Sequence, residues 1–231
     1  MQANMNDLKA IDGIILTRGS HDPGEGMCAM EAVAFLAGEP HSDAPQCACP
    51  ALAAFARRLN DGAWPSDVDR TEAMRPAVLA LIGTRSTRAT GRARAAYLVD
   101  CALRWYAPLA LMAAVGACEA RGIDCTGLRA AALRLCEDPT REHALMARAE
   151  AWKAYVDGGE AGAADAPAAA ADAFTAAAAA ADAAAADAAA DADAGAAAGA
   201  AATFAAADVR LLILRLAVEH LLSACAITVP S

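Results

Sequence analysis

The sequence predicts an all-α protein, a multi-helical body of short helices followed by a C-terminal, alanine-rich long helical hairpin. Three observations carry this. Strand signals are nearly absent, with Ile14-Ile15-Leu16-Thr17 the single short β-like run. Helix punctuation recurs instead, with proline at first helical positions and glycine just after the last. From Ala161 to Asp208 about two thirds of the residues are alanine, the residue of best intrinsic helix propensity.

Taken in order, Met27 to Ala37 reads as a helix stopped by Gly38 and Pro40. Pro50 to Asn60 begins with proline and ends at Asp61-Gly62. A helix from Pro76 to Ile82 closes at Gly83, and a longer one runs from about Thr87 to Tyr106. Pro108 opens another to Arg121, stopped by Gly122. Thr126 to Glu137 follows, and Asp138-Pro139 starts a helix to Val156 that Gly158-Gly159 ends. Ala168 to Ala194 is expected to be helical on propensity alone, with most Asp residues on one half and a nearly pure alanine face opposite. Gly195 and Gly199 mark a break before Ala200 to Ala226, and two helices of similar length predict an antiparallel pair. A linker of low complexity over residues 161–202, followed by one docked helix, is the alternative. The organisation expected is a lead-in (1–20), a helical body (21–159) and an acidic arm (160–231) whose last helix docks on the body.

Of the 28 acids, nine fall between Ala154 and Val209, where there is no Lys or Arg, so the remaining 19 balance the 19 bases. The net charge of −9 therefore belongs to the arm, and a neutral body argues against general nucleic-acid binding. Met1 to Gly13 lacks the basic start and apolar core of a signal peptide, which points to the cytoplasm and to eight cysteines that are thiols, ligands or buried apolar residues rather than disulfides. The apolar run Val209 to Val229 is interrupted by Arg210, Arg215, Glu219 and His220, so a buried helix is expected there and not a membrane span.

Chemistry-bearing residues crowd between His21 and Pro50: His21, Cys28, Glu31, His41, Asp43, Cys47 and Cys49. In Cys47-Ala48-Cys49-Pro50 the proline sets a helix start, which places Cys49 at the cap, near free N–H groups that favour thiolate. Cys28 and Glu31 lie three apart, on one helix face. If the two helices form a hairpin, Cys28, Cys47 and Cys49 could converge, with His21 or, as the alternative, His41 completing a tetrahedral zinc or iron site. Buried structural cysteines and a reactive thiol are the competing readings. Glu31 is the candidate general base beside a metal-bound water; the plainer reading is a supporting carboxylate. Asp43 and Glu39 read as turn and cap residues.

Arg85, Arg88, Arg92, Arg94 and Arg104 form the one basic run, and the first three share a helix face on which a phosphate or an acidic partner could dock. A solvated face or a seat for the acidic arm are the alternatives. Trp105, Tyr106 and Trp152 read as core or groove aromatics, and His143 and His220 as satisfied polar groups. No G-x-x-x-x-G-K-[ST] loop, G-x-S-x-G elbow, H-E-x-x-H helix or strand-linked G-x-G-x-x-G is present, so no nucleotide cofactor is expected.

Gly26-Met27-Cys28-Ala29-Met30-Glu31, Leu36-Ala37-Gly38-Glu39, Asp43-Ala44-Pro45, Cys47-Ala48-Cys49-Pro50 and Asn60-Asp61, continued by Gly83-Thr84, resemble the N-terminal signature of a family of actinobacterial, other high-GC bacterial and phage proteins. The resemblance spans roughly residues 19–84 and brings no established activity. It implies a Cys-or-His alternation at the position of Cys49, which suits a metal ligand, and an aromatic at the position of His41, which favours His21 as fourth ligand. The expectation is a non-enzymatic cytoplasmic accessory protein with a structural zinc site and a protein partner, whether a second copy or another chain. A metal-dependent hydrolase (Cys28, Cys47 and His21 as ligands, Glu31 as base) and a thiol-based redox sensor are the alternatives.

Overall fold

The computed structural model describes residues 11–160 and 207–229. They form an all-α fold of helices α1 (Ala29–Leu36), α2 (Pro50–Asn60), α3 (Asp67–Leu81), α4 (Arg88–Cys101), α5 (Ala107–Glu119), α6 (Thr126–Glu137), α7 (Arg141–Glu160) and α8 (Ala207–Cys225). A π-helical turn, Ala102–Tyr106, joins α4 to α5 without interruption. Among the described residues there is no strand, only a bridge of Leu16 with Met27, where the Thr17 N–H donates to the Met27 carbonyl at 2.9 Å. The pair of long helices expected over residues 168–226 lies largely outside the described residues.

Local chemistry explains most boundaries. Proline at the first position of α2 lacks an N–H where none is needed, and its fixed φ suits a helix start. Ser66 caps α3 by accepting from the Asp69 N–H at 3.1 Å. α3 therefore starts nine residues before Pro76, the first residue that the sequence predicts for it. The pattern hid those turns because Arg70 and Thr71, both polar, are buried. The Arg70 Nε donates to the Asn60 carbonyl at 2.8 Å, and Thr71 Oγ1 accepts from the Leu16 N–H at 2.8 Å.

Pro108 does not open a separate helix. It sits inside one continuous helix from Arg88 to Glu119. Proline in a helix interior removes one backbone bond and crowds the carbonyl four residues back. The π-turn just before it relieves this, with the Ala107 N–H reaching back five residues to the Ala102 carbonyl. By length and composition this helix is also the one among the described residues that could cross a membrane, and its most apolar window is 61% buried inside the fold.

The core runs through both halves of that helix. Phe55 and Tyr106 are fully buried, with ring centroids 6.5 Å apart. α8 packs on α2, α3 and α4 through Ile213, Leu214, Ala217, Val218, Leu221 and Ala224. α6 and α7 pack on each other and on α5, and α7 meets them with Ala144, Ala147, Ala151 and Ala154, whose small side chains allow close approach. Trp105 and Trp152 are 49% and 53% exposed, unlike the fully buried Tyr106, because each falls on the outer side of its helix.

Where α8 crosses the end of α2 the chain has no room for a side chain. A Cβ on Gly62 would stand 2.9 Å from Leu214 Cδ2 and 3.0 Å from the Leu59 carbonyl oxygen. Gly62→Ala is expected to lower stability by about 1–3 kcal/mol through overpacking. A reduced urea midpoint at unchanged slope checks this, and an unchanged midpoint would show that α8 yields freely.

Candidate functional site

The segment before α1 is organised around one carboxylate. Cys28 is the N-cap of α1, so the helix begins two residues later than its apolar pattern suggests. The Glu31 N–H donates to Cys28 Sγ at 3.4 Å, and Glu31 Oε2 accepts from the Cys28 N–H at 2.7 Å. This is a capping box with cysteine in the place usually held by Ser or Thr. Glu31 also accepts from the His21 N–H (2.8 Å) and from His21 Nδ1 (3.0 Å), and His41 Nε2 lies 3.7 Å from Oε1.

The proton on His21 Nδ1 leaves Nε2 facing Thr17 Oγ1 at 2.9 Å, while His41 Nε2 donates to the His21 carbonyl at 2.7 Å. Gly26, at φ +148°, lets the chain pass so close that a Cβ would stand 3.0 Å from Thr17 Oγ1 and 3.3 Å from His21 Cδ2. Asn60 closes the arrangement from α2. Its Oδ1 accepts from the Ala29 N–H (3.1 Å) and its Nδ2 donates to the Thr17 carbonyl (2.9 Å), while Asp61 accepts from the Gly19 N–H (2.8 Å).

Burial by itself would push the Glu31 carboxyl up, but the hydrogen bonds from Cys28 and His21 outweigh it and hold the group below the usual carboxylate range. A general base working near neutrality needs the opposite shift. The Cys28 thiol is pushed up to about 12 by burial, with the Glu31 charge adding to the effect, so it is un-ionised.

Cys47 and Cys49 serve another part of the fold. Glu39 accepts from the N–H groups of Gln46 (2.6 Å) and Cys47 (2.7 Å), which makes it the turn residue its position suggests. The Cys47 carbonyl accepts from the Arg85 N–H at 2.8 Å, and Cys49, buried, donates its N–H to Thr84 Oγ1 at 2.9 Å. Burial and then the Glu39 charge raise the Cys47 thiol, the reverse of what thiolate chemistry at a helix start requires.

The structure thus joins His21, Cys28, Glu31 and His41 and sets Cys47 and Cys49 apart from them. Among the described residues no three His, Cys, Asp or Glu side chains gather as a metal ion would require. The Glu31 carboxylate is engaged with the His21 ring and with the backbone N–H groups of His21 and Cys28. Protein in excess chelator is expected to keep its unfolding temperature. Stoichiometric zinc or iron whose removal lowers that temperature would establish a structural metal.

The remaining histidines are satisfied polar groups. His143 Nδ1 donates to the Asp138 carbonyl at 2.7 Å, and Tyr106 Oη donates to His220 Nδ1 at 2.6 Å.

The arginines make a different kind of site. A cavity of about 320 Å³ opens between the start of α2 (Cys49, Pro50, Ala51) and the start of α4 (Arg88, Gly91, Arg92, Ala95), with Arg85, Ser86 and Thr87 along its rim. No acid lines it, and the side chains of Arg85, Arg88 and Arg92 have no hydrogen-bond or ion-pair partner among the described residues. Its frame is rigidly tied. Thr84 Oγ1 bridges the Cys49 N–H and the Leu81 carbonyl, Arg85 is pinned to Cys47, and Thr87 caps α4 by accepting from the Thr90 N–H at 3.2 Å.

Arg94, one turn further along, is not part of the docking face. It is buried, and its guanidinium donates to the carbonyls of Thr84 (2.5 Å), Cys225 (3.1 Å) and Ile227 (3.2 Å). In the sequence Arg94 reads only as a member of the basic run, and nothing local marks Asn60 and Thr84 as bond-making residues. Each has a partner 31 to 133 residues away, Ala29 for Asn60, Cys49 for Thr84 and Ile227 for Arg94, beyond the reach of any local pattern.

Comparison with protein-family models, curated proteins and solved structures finds no match to this chain.

Proposed function

We propose that this chain is a non-enzymatic accessory protein that works by binding, and that the arginine cavity between α2 and α4 receives an anionic group. The observation that carries the reading is electrostatic. Arg85, Arg88 and Arg92, all exposed, line a cavity between the starts of two helices, and neither helix has an acid in its first turn. A positive charge at a helix start is unfavourable with the helix dipole. An anion would offset this, and the tied frame would hold the donors in place before it arrives.

The reactive readings lose support from the same geometry. Glu31 is fully engaged and its carboxyl is shifted toward the ionised form, while the thiols of Cys28 and Cys47 are raised by burial. The test is a two-dimensional amide NMR titration with inorganic phosphate, sulfate and citrate. Shifts are expected at Ala51, Arg85, Ser86 and Thr87, and should vanish in the Arg88→Gln, Arg92→Gln double variant. Absence of shifts with all three anions would end the reading.

A further inference from the structure

Resting on that reading of the cavity as an anion seat, we infer that its ligand is a small organic phosphate monoester. The phosphate would lie among Arg85, Arg88 and Arg92 at the start of α2, and the organic part against Pro50, Gly91 and Ala95.

The donor count separates phosphate from carboxylate. A carboxylate offers two oxygens, and one arginine can satisfy both by a bidentate pair. This cavity offers three guanidinium groups, the hydroxyl of Ser86 and the start of α2. At α2 the Cys49 side chain makes no capping bond, so the N–H of Ala51, the first residue after the proline, is left to an outside acceptor. A phosphate monoester brings three terminal oxygens and a charge of about −1.5 to −2 at neutral pH, so it engages more of these donors and offsets more of the positive charge than a carboxylate does.

Size and lining indicate the rest of the ligand. About 320 Å³ stands at the lower end of the range for small-molecule pockets, roughly 300–1,000 Å³, too little for a dinucleotide. Between the charged groups the lining is formed by Pro50, Ala51, Gly91 and Ala95, which carry no side-chain donor and so suit an apolar body.

A second consequence is that the cavity lowers the stability of the empty protein. Arg88 occupies the first turn of α4, where an acid would be favourable. Residues kept for a ligand at the expense of the fold behave this way. Arg88→Glu should therefore raise the unfolding temperature of the ligand-free protein while removing its response to ligand.

The experiment is calorimetric titration of the full chain with phenyl phosphate, phenyl sulfate, benzoate and inorganic phosphate, with thermal unfolding in parallel. Phenyl phosphate is expected to bind about tenfold or more tightly than each of the others, the worth of one additional charge-assisted hydrogen bond or of the buried ring. It should also raise the unfolding temperature of the wild type. Arg88→Gln, Arg92→Gln should abolish this, whereas Arg58→Gln, on the exposed side of α2 and outside the cavity, should leave it unchanged. Benzoate binding as tightly as phenyl phosphate would overturn the phosphate assignment and leave the anion-seat reading standing. Inorganic phosphate binding equally well would remove the organic part of the ligand. No binding by any of the four, or equal loss in Arg58→Gln, would overturn both.

Discussion

Glu31→Ala is expected to destabilise the protein by about 3–5 kcal/mol, the loss typical of breaking a buried, hydrogen-bonded charge arrangement. The carboxylate is 1% exposed, and it alone answers the N–H groups of Cys28 and His21 and the ring N–H of His21. Each buried donor left without an acceptor costs about 1–3 kcal/mol. At about 2–4 °C per kcal/mol for a chain of this length, the unfolding temperature should fall by ~10 °C or more. Glu31→Gln keeps one acceptor oxygen but turns an NH₂ toward donors, so an intermediate loss is expected. The sign of the acid response follows from the shift. The folded carboxyl titrates below its unfolded value of about 4.3, so its stabilisation is fully present above that pH and disappears as pH falls through the folded value. Between neutrality and acid, wild type should therefore lose stability that Glu31→Gln no longer has to lose. Parallel pH profiles for the two would mean that the carboxylate is not the clamp.

Arg94→Met should cost a comparable about 3–5 kcal/mol, since charge-assisted bonds contribute about 1.5–3 kcal/mol each and water regains part of the solvation at the chain end. Its effect is expected to be local in a way that the effect of Glu31 is not. Arg94 is the fastening of the C-terminal segment, joining the loop carbonyl of Thr84 to the last-turn carbonyl of α8 at Cys225 and to Ile227 beyond it. A cation at the negative end of α8 also complements that helix's dipole. Hydrogen exchange should show α8 losing protection while α6 and α7, which pack on α5, keep theirs. Arg94→Lys should fall between, because one ammonium cannot span three carbonyls held by a planar fork. Uniform loss of protection across all helices would argue for a global role instead.

How far the sequence carried the structure depends on where each partner lies. α2 (Pro50–Asn60) begins at its own proline and ends at Asp61-Gly62, and α6 (Thr126–Glu137) ends before Asp138-Pro139, because such signals act within a few residues. α3 was legible only in its second half, since the buried Arg70 and Thr71 that break its pattern are satisfied by Asn60, Leu16 and Asp67. Cys28 and Glu31 illustrate a different ambiguity. A spacing of three is shared by two ligands on a helix face and by the two ends of a capping box, and a shift of two residues in the helix start decides between them. Arg85, Arg88 and Arg92 could be grouped from spacing alone. The opposite wall, Cys49 to Ala51, could not, because tertiary packing brings it there.

The continuous helix from Arg88 to Glu119 has a buried residue at every fourth position: Arg94, Leu98, Ala102, Tyr106, Ala110, Ala114 and Cys118. In a regular α-helix a step of four overshoots a full turn by about 40°, so such a stripe would wind roughly 240° around the axis over its length. The extra residue taken up in the Ala102–Tyr106 turn removes about 100° of that drift. What is left is still enough for one end to face α2 and α8 while the other faces α6 and α7. The helix is accordingly a rotary coupling between two bundles, and the π-turn sets its gear. A residue added to or removed from this stretch would change the angle between the halves of the molecule far more than the distance between them.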